Sequence, residues 1–330
     1  MSPRTIFLFL LCAWSIGCSA PIRHARLDPA AAPSAVEIDA ADRARNRSCG
    51  PTVGLLWPGI GQACLGRPQE AAILATMAGA ELGVGIAGLA LIPSDNQTGE
   101  LLSDSGQAVA FAGVQNLWTY SISRSALDLQ LAQWKPYAPQ DTLEEMVIAP
   151  FNVQVLKRPA VFGGIIGLTG TAVAINAFSE GSTSRGRPNL FGKRLPEPVA
   201  YPLAAGLGTV LFQHVAIGEE IAFRGLLQPD LVRLTGSETN GWILSSLIFG
   251  GFHAFNALLL PGADAAGYLA YAVPYITVTG AWLGLAFRWS GYSLAPPIAI
   301  HFWYDFLLSA ADFAMDPKHN VFSAKVAVPF

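Results

Sequence analysis

The residues of this sequence that could do chemistry lie in three short motifs of its C-terminal half, each within an apolar stretch. Ionisable side chains are costly inside a membrane, so each one placed there is a functional candidate. Because unpaired charges are not tolerated in lipid, candidates on separate spans must meet at a shared polar centre. Glutamate and histidine side chains suit the transfer of protons to and from water. The six candidates are Glu219, Glu220, Arg224, His253, His301 and Asp305.

Spacing separates the roles of the two adjacent glutamates. On a helix, Glu220 and Arg224 are i, i+4 neighbours in the order that favours an ion pair. Glu219 is rotated by about 100° from Glu220, so the same arginine cannot easily neutralise both acids. We therefore interpret Glu220 and Arg224 as a structural pair and Glu219 as the carboxylate that transfers protons.

The two histidine motifs stand on separate apolar stretches. His253 ends the run Phe249-Gly-Gly-Phe-His253. His301 begins His301-Phe-Trp-Tyr-Asp305, whose i, i+4 spacing puts the histidine and the aspartate on one helix face. A lone histidine is more often a hydrogen-bonded core residue, and this is our interpretation of His214. A polar centre that only holds helices together is the alternative interpretation of the whole set.

The composition indicates what kind of chain surrounds these motifs. Of 330 residues, 52% are hydrophobic and only 13% are charged, whereas a soluble domain carries about 25% charged residues. Mean hydropathy is +0.40, and this balance excludes a disordered chain, a coiled coil and a secreted disulfide scaffold. The net charge of −3 gives no support for nucleic-acid binding. The sequence predicts an all-α, polytopic membrane protein with about 7–8 transmembrane helices.

Two segments are predicted to precede the folded part. Residues 1–20 are typical of a signal peptide, with Arg4 before an apolar run shorter than the about 20 residues that cross a bilayer. Ser15-Ile-Gly-Cys18 is similar to a bacterial lipoprotein cleavage box, so lipidation of Cys18 is the alternative to ordinary cleavage or retention. Residues 21–50 lack periodicity and predict a flexible linker.

The remaining chain divides into two membrane parts and a tail. Residues 51–158 are predicted to hold a membrane hairpin, a third span and an amphipathic loop. Residues 159–317 hold the spans with the three motifs, and residues 318–330 form a short tail. The predicted amphipathic helix is Leu143–Val155. The spans after the hairpin are Gln107–Ile122, Pro159–Phe178, Val199–Ile217, Trp242–Leu260, Ala265–Phe287 and Leu294–Phe313.

Orientation depends on the hairpin, which pairs the short, glycine-broken Val53–Leu65 with Ala71–Ile92. If both arms cross, Arg67 lies at a cytoplasmic turn, as the excess of basic residues on that side predicts. The polar centre then opens to the cytoplasm. If Val53–Leu65 does not cross, every later loop lies on the opposite side of the membrane and the centre faces outward. We favour the hairpin, in a bacterial cell membrane and specifically the inner membrane.

The ordered motifs resemble those of a known family. Glu-Glu-x-x-x-Arg, Phe-x-x-x-His and His-x-x-x-Asn/Asp on separate apolar helices are similar to the CPBP family of intramembrane proteases. That family groups the CaaX prenyl endopeptidases with the Abi and bacteriocin-processing proteins. Each motif alone is weak, but the ordered set is specific. The resemblance covers about Pro159 to Asp312 and does not extend to the N-terminal half.

The resemblance implies a role for each matching residue. Glu219 matches the catalytic glutamate, Glu220 and Arg224 match an ion pair, and His253 matches the histidine that shares a water molecule with the glutamate. The implied reaction is hydrolysis of a peptide bond by that water. Glu219 acts first as general base and then as proton donor to the leaving amine.

Two further roles stay open at this point. His301 matches the family's oxyanion-stabilising histidine, and Asp305 stands where Asn is commoner. An ionised Asp cannot donate a hydrogen bond to an oxyanion, so the alternative role of Asp305 is to orient His301. A divalent metal such as zinc is the alternative to a glutamate-only mechanism. Its ligands would be Glu219, His253, His301 and Asp305.

The expected function is that of an intramembrane endopeptidase. Its partners would be a membrane protein or lipidated peptide substrate, including CaaX-type proteins, and the lipid bilayer itself. A non-proteolytic scaffold or regulator of the same fold is the first alternative. A small-solute transporter is the second, but transporters commonly contain internal repeats, and these acids and histidines lie in one half of the chain only.

Overall fold

The computed structural model describes residues 51–91, 97–130, 137–179, 186–190, 193–260 and 262–318. The predicted signal peptide and linker lie outside the described residues, as does the tail after Lys318. The described chain is mostly helical. This confirms a helical fold, with one short antiparallel pair formed by β1 (Asn189–Leu190) and β2 (Lys193–Arg194).

The N-terminal part consists of two short helices followed by a long antiparallel pair. The short helices are α1 (Pro51–Gly54) and α2 (Ile60–Cys64). The long helices are α3 (Pro68–Leu91) and α4 (Gln97–Gln130), which pack along each other. The predicted third span, Gln107–Ile122, lies within α4.

The first arm of the predicted hairpin is not one helix. Between α1 and α2 the chain turns at Pro58-Gly59, where Gly59 adopts a φ of 94°, a left-handed conformation that favours glycine. Neither short helix approaches the about 20 residues needed to cross a bilayer. Both lie against α4, where Ser121 Oγ accepts the Gly59 N–H at 3.0 Å. The first arm, Val53–Leu65, is therefore two short helices rather than one, and its crossing of the membrane stays a prediction.

The connection between the two parts is also broken into short segments. The predicted amphipathic helix Leu143–Val155 is instead α5 (Leu143–Ile148), a 3₁₀ turn and α6 (Val153–Leu156). Pro150 lies in the 3₁₀ turn and has no N–H to continue the helix. Asn152 then caps the next helix by accepting the Gln154 N–H at 2.9 Å.

The C-terminal part is a bundle of long helices. After α7 (Pro159–Ser179) comes one continuous rod of α8 (Glu197–Glu220), a π-helix (Ile221–Leu227) and α9 (Gln228–Thr235). Next follows α10 (Glu238–His253) with a 3₁₀ extension (Ala254–Leu259). The last elements are α11 (Gly262–Gly267), a second π-helix (Tyr268–Ala272), α12 (Val273–Trp289) and α13 (Ala295–Met315).

Three helical stretches of the described chain are long and apolar enough to cross a membrane. They are Glu197–Thr235, Glu238–Leu258 and Asp264–Trp289. A shorter apolar helix runs over Pro159–Ile175. These findings support a membrane protein, but they do not confirm the predicted count of 7–8 spans.

Close packing brings the motif-bearing helices together. Helix α8 packs between α4 and α13, while α10 packs along α12. A methyl group added at Gly250 of α10 would overlap the Thr277 side chain of α12, so this glycine permits the close approach of the two helices. The main apolar core lies among α8, α12 and α13 and includes Leu211, Phe287 and Ile298.

Candidate active site

A change of helix type marks the first motif. Glu219 and Glu220 are the last two residues of α8, and the π-helix that follows carries Arg224. Such π-helical turns are rare and occur frequently at functional sites. The sequence did not predict this turn.

The ion pair expected from spacing is present and completely buried. Arg224 Nη1 donates to Glu220 Oε1 at 2.8 Å, and the two residues are 1% and 0% exposed. Arg224 Nη2 donates to the backbone carbonyl of Gly280 at 2.9 Å. The guanidinium carbon lies 4.2 Å from the centre of the Phe249 ring, a cation–π arrangement. The buried arginine is therefore held on three sides.

Gly280 of α12 is a site residue that the sequence analysis missed. A methyl group at this position would lie 2.7 Å from Phe249 Cδ1 and 3.3 Å from Arg224 Nη2. Glycine is thus needed for the backbone carbonyl to reach the guanidinium. The only signal in the sequence was a glycine within an apolar span, which also occurs for ordinary helix packing.

His301 contacts the ion pair directly, which the spacing did not predict. Its Nδ1 lies 2.7 Å from Glu220 Oε1. Because an ionised carboxylate only accepts hydrogen bonds, Nδ1 carries the proton. On the other side of the ring, Nε2 lies 3.4 Å from Asp305 Oδ2 and 3.9 Å from Glu219 Oε2. Glu220 therefore orients His301, while Asp305 faces the opposite nitrogen.

His253 presents a nitrogen lone pair to Glu219. Its Nδ1 lies 2.8 Å from the Phe249 carbonyl oxygen, and a carbonyl only accepts, so Nδ1 is the donor. In the neutral ring Nε2 is then an acceptor, 3.8 Å from Glu219 Oε2. Glu219 Oε2 is buried and has no hydrogen-bond partner among the described residues. A separation of this size between two acceptors is what a bridging water molecule fits.

All six predicted candidates therefore meet at one centre. His253, His301 and Asp305 are 6%, 6% and 7% exposed. His214 lies outside the centre, with Nε2 3.2 Å from Glu81 Oε1 on α3. Within the described ranges, no group of three or more His, Cys, Asp or Glu side chains is arranged to hold a metal ion.

Comparison with known proteins agrees with the motifs. Residues 201–307 match the family model Rce1-like, described as type II CAAX prenyl endopeptidase Rce1-like. No curated protein and no solved structure matches the chain. The matched range includes every residue of the centre from Glu219 to Asp305. The prediction of this family is thus confirmed, by a match that covers residues 201–307.

Proposed function

We propose that the protein is an intramembrane endopeptidase in which Glu219 and His253 activate a water molecule. Membership of a protease family supports protease activity in general. The observation that carries the finer proposal is the buried, unpartnered Glu219 Oε2, which faces a histidine nitrogen at 3.8 Å. The proposed substrates are membrane-associated or CaaX-type proteins, and the proposed location is the bacterial inner membrane.

The attacking water would lie between two acceptors. One of its protons points to Glu219 Oε2 and the other to His253 Nε2, which leaves an oxygen lone pair directed at the substrate carbonyl carbon. As the new C–O bond forms, Glu219 takes a proton from the water. General-base assistance of this kind contributes about 10²–10⁴-fold to rate.

The negative oxygen of the resulting intermediate needs a hydrogen-bond donor. His301 already donates Nδ1–H to Glu220, so only a doubly protonated ring has an Nε2–H left to donate. The carboxylate of Asp305, 3.4 Å from Nε2, favours this imidazolium form. We therefore assign Asp305 the role of holding the proton on His301 rather than contacting the oxyanion itself.

Collapse of the intermediate completes the reaction. The C–N bond breaks, and protonated Glu219 gives its proton to the leaving amine, which restores the carboxylate. Arg224 neutralises Glu220 throughout, so that the adjacent pair of glutamates carries one uncompensated negative charge. The products are a carboxylic acid and an amine, with one water consumed.

The test compares two glutamates of the same chain that each face a histidine. Glu219→Gln keeps the shape of the side chain but removes its basicity, so we expect at least about 10²-fold loss of kcat. The probe is a quenched fluorescent peptide with a farnesylated CaaX terminus, and the enzyme is the full chain in lipid nanodiscs. Glu81→Gln is the matched control and should change kcat by less than about threefold.

A second measurement does not depend on the choice of probe. Membrane and released proteomes are compared between cells that express the wild type and cells that express Glu219→Gln. Fragments that appear only with the wild type identify native substrates. Equal cleavage by both proteins, in this comparison or with the peptide, would contradict the mechanism.

A further inference from the structure

The N-terminal part makes a specific contact at the start of the helix that carries His301. Asp141, between α4 and α5, accepts hydrogen bonds through both carboxylate oxygens. Oδ1 accepts from Ser293 Oγ at 2.6 Å, and Oδ2 accepts from the Leu294 N–H at 2.8 Å. Asp141 is 8% exposed and Leu294 is fully buried. The contact joins parts of the chain that lie 153 residues apart.

The start of α13 needs such an acceptor. A helix begins with N–H groups that have no partner within the helix. The sequence Ala295-Pro296-Pro297 removes two of these donors, because proline has no N–H. Two donors remain: Leu294 N–H, which Asp141 accepts, and Ala295 N–H, which Ser293 Oγ accepts at 3.3 Å. A carboxylate is also the charge that a helix N-terminus favours.

Asp141 is itself held in place by the N-terminal helices. Arg124 of α4 donates from Nη1 to the Asp141 backbone carbonyl at 3.1 Å. The same arginine lies 3.4 Å from Asp128, which pairs with Arg67 at 3.1 Å. Burial raises the pKa of Asp141, while the hydrogen bonds from Ser293 and Leu294 oppose that rise. The anchor therefore belongs to a connected network and is not an isolated surface contact.

The position of His301 depends on where α13 begins. His301 follows Leu294 by two helical turns, which places it on the same face of the helix about 10 Å further along. Its Nε2 must face Glu219 while its Nδ1 stays on Glu220. A misplacement of about 1 Å can cost about 10²-fold in rate, so the start of α13 has to be fixed.

We propose that Asp141 is a positioning residue, which fixes the start of α13 so that His301 lies correctly between Glu219 and Glu220. This gives the N-terminal part, which the family match does not cover, a role in the reaction. The inference rests on the proposed function, because it assigns His301 a place in that chemistry.

The activity test uses the full chain in nanodiscs and the farnesylated CaaX peptide. Asp141→Ala removes both acceptors and should lower kcat at least about tenfold, with KM changed less than about twofold. Asp141→Asn should restore kcat to within about threefold, because its Oδ1 can accept from Leu294 while its amide donates to Ser293 Oγ. Glu145→Ala is the matched control, since Glu145 hydrogen bonds to Thr142 in the cap of α5. Loss of activity in Asp141→Asn equal to that in Asp141→Ala would overturn the proposal.

A spectroscopic measurement separates this inference from the proposed function. The ring signals of His301 are recorded by NMR with labelled histidine and assigned with His301→Gln. We expect Asp141→Ala to move the His301 signals and their titration, and Asp141→Asn and Glu145→Ala to leave them in place. Unmoved His301 signals would overturn the positioning role, whatever the activity. If Asp141→Ala does not fold, Ser293→Ala, which removes one of the two contacts, takes its place, with the same criterion.

Discussion

Two of the acid–histidine contacts made by helix α8 invite comparison, because only one of them has the surroundings of a reaction centre. Its Glu219 faces His253 of α10, and its His214 faces Glu81 of α3, at 3.8 Å and 3.2 Å. In both contacts the histidine Nδ1 lies on the carbonyl of the residue four positions earlier. The two histidines therefore present the same nitrogen, Nε2, to a carboxylate.

What differs is the rest of the environment. Beside Glu219 lie a second histidine, His301, and the buried pair of Glu220 and Arg224. Glu81 instead lies against Gly113, where an added methyl group would be 2.6 Å from its Oε2. Glu81 and His214 thus join α3 to α8. Three features favour hydrolysis at Glu219: the gap that fits a water molecule, the second histidine, and the neighbouring acid that Arg224 neutralises.

Replacement of each histidine in turn tests this difference most strongly. His253→Gln removes the imidazole acceptor that would share the water, and we expect about 10²-fold loss of kcat on the farnesylated CaaX peptide. His214→Gln keeps a side chain that can hydrogen bond to Glu81, so its kcat should stay within about threefold. The two purified variants are assayed side by side in nanodiscs. Equal losses would show that both contacts are structural.

The stability of Arg224→Ala gives a second test of the difference between the two contacts. The change leaves Glu220 buried without its cation, and breaking a buried pair costs on the order of 3–5 kcal/mol. We expect a lower melting temperature in detergent. His214→Ala is the control and should destabilise less, because Glu81 is partly exposed and can reach water. A melting curve of Arg224→Ala that matches the wild type would contradict the ion pair.

The sequence predicted the members of the centre better than their contacts. Charged groups in apolar spans must meet, and this argument is enough to bring Glu219, His253 and His301 together. It cannot tell which nitrogen meets which carboxylate, because that depends on helix tilt and rotation. The contact between His301 and Glu220 therefore became visible only in the structure.

Irregularities of the backbone were harder to predict from the sequence than the members of the centre. The π-helix after Glu220 spans only seven residues, which is too short for hydrophobic periodicity to distinguish it from an α-helix. Hydropathy treated Val53–Leu65 as a membrane arm, although Pro58-Gly59 already carried the signal for a turn. The close approach at Gly280 depends on packing between helices that are distant in sequence. This close approach follows from tertiary structure rather than from local pattern.

The orientation of the bundle in the membrane has the smallest expected effect on the chemistry. It nevertheless determines the side of the membrane from which the substrate comes. Cys64 is disulfide-bonded, and disulfides persist in oxidising compartments outside the cytoplasm. It lies just before Arg67, which pairs with Asp128 at the end of α4. Through Arg124, the same network reaches Asp141 at the start of α13. We therefore predict that this end of the bundle faces away from the cytoplasm, the reverse of the orientation that loop charges favour.

Single cysteines at opposite ends of the bundle test that prediction. Thr239 is exposed at the start of α10, beside Glu238, which contacts Tyr292 in the turn before α13. Asp264 is exposed at the other end, before the span that leads to Trp289. In a background without the native cysteines, an impermeant maleimide on intact cells should label Thr239→Cys and spare Asp264→Cys until lysis. The reverse pattern would restore the cytoplasm-facing arrangement. Since His301 lies two turns from the predicted outer end, the expected labelling would favour membrane-associated substrates that approach from outside.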